Sequence, residues 1–247
     1  MDTKTKALLR KYAERFECAA FLEGDPSSFM HMAKGAANQE ATAFVASSLS
    51  FGNRSQFMPK IAWIVGRARG NVDRWIRSGA FEKDFGSGDT RCFYRFFTHS
   101  SMHAFLSRYR AVMSEYGTLG SFVRENCGGD ALAAVTALCK AFGGEGAGGV
   151  VPRDCTSACK RLCMFLRWMV RGPSPVDLGL WSWFVDRRTL VVPLDTHVLQ
   201  EAARLGLVSG RASSMSAARR LTAKLAEAFP DDPARGDFAL FGVGVAS

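Results

Sequence analysis

Apolar residues recur three and four positions apart along most of the chain, the spacing that lines one face of an α-helix. Phe57, Ile61, Ile64, Val65 and Ala68 form one such stripe. Met102, Phe105, Leu106, Tyr109, Val112, Met113 and Tyr116 form a second, and Leu132, Val135, Leu138, Cys139 and Phe142 a third. Each predicts a helix surface that faces a core. Glycine and proline interrupt the pattern at Gly24-Asp25-Pro26, Gly86-Ser87-Gly88, Gly143 to Gly149, Gly172-Pro173-Ser174-Pro175 and Pro230-Asp231-Asp232-Pro233, which divides it into about ten helices. The strongest β-like run, Thr189 to Val192, is closed by Pro193, and a single strand builds no sheet. The expected fold class is all-α, in two lobes with a cleft between them. Residues 36–142 would form a helical barrel lobe, and residues 1–35 with 143–247 a second helical lobe.

Composition narrows the class. With 47% apolar and 22% charged residues among 247, the chain folds around a substantial core. Lys and Arg number 32 against 23 Asp and Glu, a net charge of +9 that suits an acidic partner such as a nucleic acid backbone. Seven cysteines, an odd number, follow a start Met1-Asp2-Thr3-Lys4 that carries no apolar signal, so a reducing cytoplasm is expected rather than a disulfide scaffold. Apolar runs such as Ala41 to Leu49 are too short to cross a bilayer, and no membrane partner is expected.

The residues suited to chemistry lie between the glycine cluster and an Asp-Thr-His segment. A helix ends near Phe142, the cluster turns the chain, and a second helix is predicted to start around Asp154 or Thr156, either of which can cap it. Backbone N–H groups at Gly146, Gly148 and Gly149 would then hold a phosphate without reading sequence; the plainer reading is a loose connection between core helices. Lys160 stands early in that second helix, among Ala158, Cys159, Leu162, Cys163 and Met164. Partial desolvation and the positive helix end both favour a neutral, nucleophilic amine there, whereas the plainer reading is a solvated lysine on a basic helix with Arg161, Arg167 and Arg171. Asp195 follows Pro193 and opens a helix through Val198 and Ala202, so it is at least an N-cap. The Lys160 helix runs for about 16 Å to Arg171, and the return through residues 176–190 can bring Asp195 back to its start. Cys155, Cys159 and Cys163 share a helical face, but the outer pair would lie about 12 Å apart, too far for one ion. No metal or organic cofactor is expected.

These residues together resemble the helix-hairpin-helix DNA glycosylases, and the archaeal 8-oxoguanine DNA glycosylase branch in particular. The resemblance rests on a lysine in the second hairpin helix followed by Leu194-Asp-Thr-His-Val-Leu-Gln-Glu-Ala-Ala-Arg-Leu-Gly-Leu207, and on Asp237-Phe-Ala-Leu-Phe-Gly242. It implies a bifunctional DNA glycosylase and AP lyase of the base excision repair class, a monomer acting on double-stranded DNA that contains a damaged base. Lys160 would be the nucleophile and Asp195 the catalytic carboxylate. Asp237 would accept hydrogen bonds from the N1–H and N2–H₂ edge of an oxidised purine, most simply 8-oxoguanine, with Phe241 stacking on the base and Met164 flanking it. Ala43 to Gln56 resembles the family's first barrel helix and following turn, which assigns to Asn53 and Gln56 the gap left by the extruded base. The usual Leu-Pro-Gly-Val-Gly hairpin is replaced by the glycine cluster, and because the last cysteine is Cys163 a C-terminal four-cysteine iron–sulfur loop is excluded. The alternatives are a non-catalytic, lesion-sensing DNA-binding module and a helical protein–protein adaptor.

Overall fold

Helices dominate the computed structural model, which describes residues 1–144, 148–210 and 212–245. In chain order they are α1 (Thr3–Phe16), α2 (Ser28–Met32), α3 (Ala36–Leu49), α4 (Arg54–Arg67) and α5 (Val72–Arg77). A short antiparallel hairpin, β1 (Cys92–Tyr94) and β2 (Phe97–Thr98), leads into α6 (His99–Tyr116), α7 (Leu119–Cys127), α8 (Ala131–Phe142) and α9 (Lys160–Val170). The chain ends with α10 (Thr196–Arg204), α11 (Met215–Ala226) and α12 (Gly236–Val245). Twelve α-helices therefore replace the ten or so expected, among the described residues. None of the described helices is long and apolar enough to cross a membrane.

The chain divides into two compact units. A central unit comprises residues 26–128 and 136–154, and a terminal unit comprises 1–25, 129–135 and 155–247. These limits differ from the expected 36 and 142, in keeping with α2 packing on α3 and Gly148 lying against Ser101 of α6.

In the central unit α3 is buried on every side, which explains why its sequence shows little amphipathic contrast. Phe44 meets Tyr109 of α6 and Phe142 of α8 edge to face, with ring centroids 5.3 and 4.9 Å apart. The predicted stripes supply the facing surfaces: Phe57, Ile61 and Ile64 on α4, and Met102, Phe105, Leu106, Tyr109, Val112 and Met113 on α6, are all buried. Two buried polar residues of α3 complete neighbouring helix starts. Glu40 accepts hydrogen bonds from the backbone N–H groups of Leu119 (2.8 Å) and Gly120 (3.0 Å), amides at the α7 start that have no partner within their own helix. Asn38 donates to the Gly70 carbonyl and accepts from the Val72 N–H, both at 2.8 Å, and so fixes the turn into α5.

In the terminal unit α9 is buried from Leu162 through Val170, Arg167 included. Helix α12 packs on α1 and α10. The β-like run does not form a strand: Arg187–Thr189 is a single 3₁₀ turn, and Leu190 to Leu194 is a buried extended tether. Its Val192 N–H donates to the Thr222 hydroxyl of α11 at 3.0 Å, so a helix side chain takes the place of a strand carbonyl.

Removing the Glu40 carboxylate would leave two buried amides without an acceptor. Glu40→Ala is expected to cost about 2–3 kcal/mol in urea unfolding, and Glu40→Gln less, since its carbonyl still accepts. A loss below about 0.5 kcal/mol for the alanine variant would show that these hydrogen bonds contribute nothing.

Candidate active site

The position of Lys160 follows from the backbone before it. Ser157 pairs with Ser214 in an isolated antiparallel bridge, and Cys159 takes a left-handed conformation with φ 45°. Residues up to Cys159 therefore stay outside the helix, and α9 starts at Lys160 itself, with Leu162 N–H bonding back to the Cys159 carbonyl at 2.9 Å. This corrects the predicted start at Asp154 or Thr156. It also takes Cys155 off the helix, so helical spacing does not set its distance from Cys159 and Cys163. Burial pushes the Cys163 thiol up from its ordinary range, which leaves it an inert packing group.

Asp195 caps α10 from an extended backbone. Its Oδ1 accepts the Val198 N–H at 2.9 Å, and its Oδ2 lies 3.2 Å from Lys160 Nζ. Capping and pairing with the lysine are thus simultaneous, one oxygen for each. The buried tether fixes the approach: Leu194 is buried and its carbonyl accepts from the Ser213 hydroxyl at 3.4 Å. The two side chains are 34% and 38% exposed, open enough for a substrate to reach the amine and held tightly enough to keep their geometry. Arg161, the next residue, is desolvated, and burial brings its guanidinium down to about 10.

Asp237 stands in the first turn of α12. Its Oδ2 accepts from the Arg167 guanidinium, whose Nε also donates to Asp177 Oδ1 at 3.2 Å, a pairing that the sequence reading did not predict. Its Oδ1 takes no hydrogen bond among the described residues. Burial pushes the Asp237 carboxyl above the usual carboxylate range against the pull of Arg167, and both Asp195 and Lys160 are close enough to act on it electrostatically. Met164, one turn after Lys160, is buried.

Phe241 is half-buried and packs edge to face on Phe16 and Phe21, with centroids 5.7 and 5.0 Å away. His197 is exposed on α10 and lies against Gly244 of α12, where any Cβ would collide with its ring. Arg167 and Arg171 are only 4% exposed, so the plainer picture of a solvated basic helix around Lys160 is also corrected. Trp168 and Trp181 are core residues, while Trp183 is 69% exposed.

The remaining predicted residues lie in the central unit. Asn53 caps α4, its Oδ1 accepting from the Ser55 N–H and hydroxyl at 2.9 Å each, and Gln56 is exposed in the first turn. Beside them stands the hairpin tip, which the sequence reading missed because Arg95-Phe96 carries no glycine or asparagine to mark a turn. Arg95 has φ 53°, and its guanidinium lies 5.9 Å from the Phe51 ring. Phe96 is 68% exposed, its ring 5.2 Å from Phe51. Gly52 turns the chain here at φ 79°, a conformation that L side chains rarely adopt, and a Cβ there would also displace the end of the Arg95 side chain.

The two described glycines of the expected phosphate cradle differ in their surroundings. A Cβ on Gly148 would collide with the Ser101 backbone of α6, so this glycine permits close packing, whereas Gly149 faces open space. Gly146 lies outside the described residues. Arg167 is the site residue the sequence reading passed over. Its signal was an arginine surrounded by Cys163, Phe165, Leu166 and Trp168, where only a buried counter-charge can satisfy it.

No curated protein and no solved structure gives a significant match to this chain. One family model, described as "Protein of unknown function (DUF2400)", matches residues 25–246. That span covers the central unit, most of the terminal unit and every residue of the lysine–carboxylate site, and the chain belongs to the DUF2400 family.

Proposed function

We propose that this protein excises a damaged base from double-stranded DNA and then cleaves the strand through a lysine imine, with an oxidised purine such as 8-oxoguanine as the target. The observation that carries this reading is the Lys160 Nζ to Asp195 Oδ2 distance of 3.2 Å, with the other carboxylate oxygen fixed by a helix cap. On this reading the two units are the lobes of a helix-hairpin-helix glycosylase-like bundle.

The chemistry balances as follows. Lys160 Nζ passes a proton to Asp195 and attacks the sugar C1′; the C1′–N9 bond breaks with its electron pair leaving on the base, which takes up a proton. Asp195, again ionised, stabilises the positive charge that develops on the sugar. The C1′–O4′ bond then opens with its electron pair and one Nζ proton going to O4′, which gives the iminium. Loss of a C2′ proton to water expels the 3′ phosphate with the C3′–O electron pair, and hydrolysis of the imine releases Lys160. Asp237 Oδ1 would meet the guanine edge, held in place by Arg167, with Met164 and Phe241 bordering the base. The exposed Asn53, Gln56 and Phe96 suit contact with the duplex, where an aromatic ring can stack on a base that has lost its partner.

Incubation with 8-oxoguanine duplex and borohydride is expected to reduce the iminium to a stable secondary amine, giving a covalent adduct that Lys160→Gln abolishes while binding persists. Full trapping by the Lys160→Gln protein would refute the assignment, and binding without trapping or cleavage by the parent would indicate a lesion sensor.

Asp195 separates structure from chemistry. Asp195→Asn should keep the cap and the melting temperature, whereas Asp195→Ala should lose about 1 kcal/mol; both should slow excision by about a hundredfold or more. Parental excision by Asp195→Asn would leave the carboxylate with the cap alone.

For the central unit, Phe96→Ala should weaken lesion-duplex binding by about tenfold, in line with about 1–3 kcal/mol per stacked base. Its effect on intact duplex should be small. Equal losses on both duplexes would make Phe96 a general contact.

A further inference from the structure

We propose that the central unit carries a second site, a basic cleft of about 570 Å³ at the end of α4 and beside α5, that binds an oligophosphate. Its walls include Arg67, Arg69, Arg74 and Lys83, with a single carboxylate, Asp84. Asp84 is already engaged, since Arg67 Nε donates to its Oδ1 at 2.6 Å. Arg69, Arg74 and Lys83 are exposed, and among the described residues none is within ion-pair distance of a carboxylate. Buried Ala68 and Trp75 line the same cleft. Like charges gathered on one concave wall repel each other and focus a positive potential into the cleft, which an anion relieves. Guanidinium forks match phosphate oxygens two at a time, and the volume admits more than one phosphate group.

The backbone adds a second observation. Helix α4 ends in a Schellman turn, with Gly70 N–H bonding to the Val65 carbonyl at 2.9 Å and Arg69 N–H to the Gly66 carbonyl at 3.0 Å. The left-handed position of this turn is ordinarily glycine, yet here it is Arg69, with φ 52°. The conformation is unfavourable for an arginine, and the residue that bears it lines the cleft. A cation at a helix C-terminus also interacts favourably with the helix dipole. The two roles predict opposite stability effects: if Arg69 serves the dipole, glycine there lowers the melting temperature, and if it serves a ligand, glycine leaves it unchanged or raises it.

The phosphates can come from a duplex backbone or from a free oligophosphate, and two arms distinguish them. Sodium tripolyphosphate is titrated calorimetrically into the parent, into Arg69→Gly/Arg74→Gln, and into Lys4→Gln/Lys11→Gln, which removes equal charge from α1. Undamaged duplex binding is followed against salt for the same three proteins. The expected result is at least a tenfold loss of tripolyphosphate affinity in the cleft variant alone, with no fall in melting temperature. A salt slope shallower by about two in that variant assigns the phosphates to the duplex, at about 0.9 per contact removed, and an unchanged slope assigns them to a free oligophosphate. The proposal is overturned if the cleft variant behaves as the parent in both arms, if the α1 variant loses as much, or if the cleft variant's melting temperature falls. None of these readouts involves Lys160 or Asp195, so excision can stand or fail independently.

Discussion

The terminal unit is organised by a buried ionic network centred on Arg167 of α9 and on Arg171, which caps the end of that helix. Arg171 donates to Asp232 at 2.9 Å, to Glu17 at 2.7 Å and also to Asp177, while Arg167 joins Asp177 to Asp237. Arg235 closes the far side on Glu17 at 2.8 Å. Charges taken out of water are tolerated only when each is paired and hydrogen-bonded, and removing one member leaves the others uncompensated. The network therefore fixes register as much as it stabilises. It ties the residue after α1, the loop after α9, the turn before α12 and α12 itself to the same two guanidinium groups. Helix α9 is the common element, with its arginines at the buried end and Lys160 at the other.

That arrangement explains how a half-exposed amine acquires a defined partner. The α9 axis places Lys160, and the network holds Asp237 through Arg167. The tether, fixed by Thr222 and Ser213, delivers Asp195 with one oxygen committed to the α10 cap. A carboxylate oriented by a backbone amide keeps its second oxygen in one direction without a further side chain. The central unit uses a related device in its core, where Glu40 and Asn38 of α3 complete the starts of α7 and α5. In the terminal unit the acid caps its own helix and turns its other oxygen to a second one, whereas in the central unit an acid and an amide on one helix satisfy the backbone of its neighbours.

Among the described residues, non-glycine positions in the left-handed region mark three places: Cys159 before Lys160, Arg95 beside exposed Phe96, and Arg69 at the basic cleft. Such residues persist only where the surroundings over-determine them. Each adjoins a group available to a ligand: a paired amine, an exposed ring, and a set of cations without carboxylate partners.

Much of the helical content was legible in the amino-acid pattern, because burial of one helix face imposes a period that survives in any sequence that folds this way. The stripes now seen in α4, α6 and α8 were readable for that reason, as was the capping position of Asp195. What depended on pairing between distant residues was not readable. The start of α9 is set by a bridge from Ser157 to Ser214, and the Thr189 to Val192 run fails as a strand because its neighbour is helix α11. The β-hairpin closes on a turn without turn residues, and Gly148 serves packing because Ser101 lies against it. The partner of Asp237 was equally hidden, since an arginine and an aspartate seventy positions apart become an ion pair only when α9 and α12 converge. Local periodicity and capping act within a few residues and so are written in the sequence, whereas charge pairing and close approach act through space and are decided only when the helices pack.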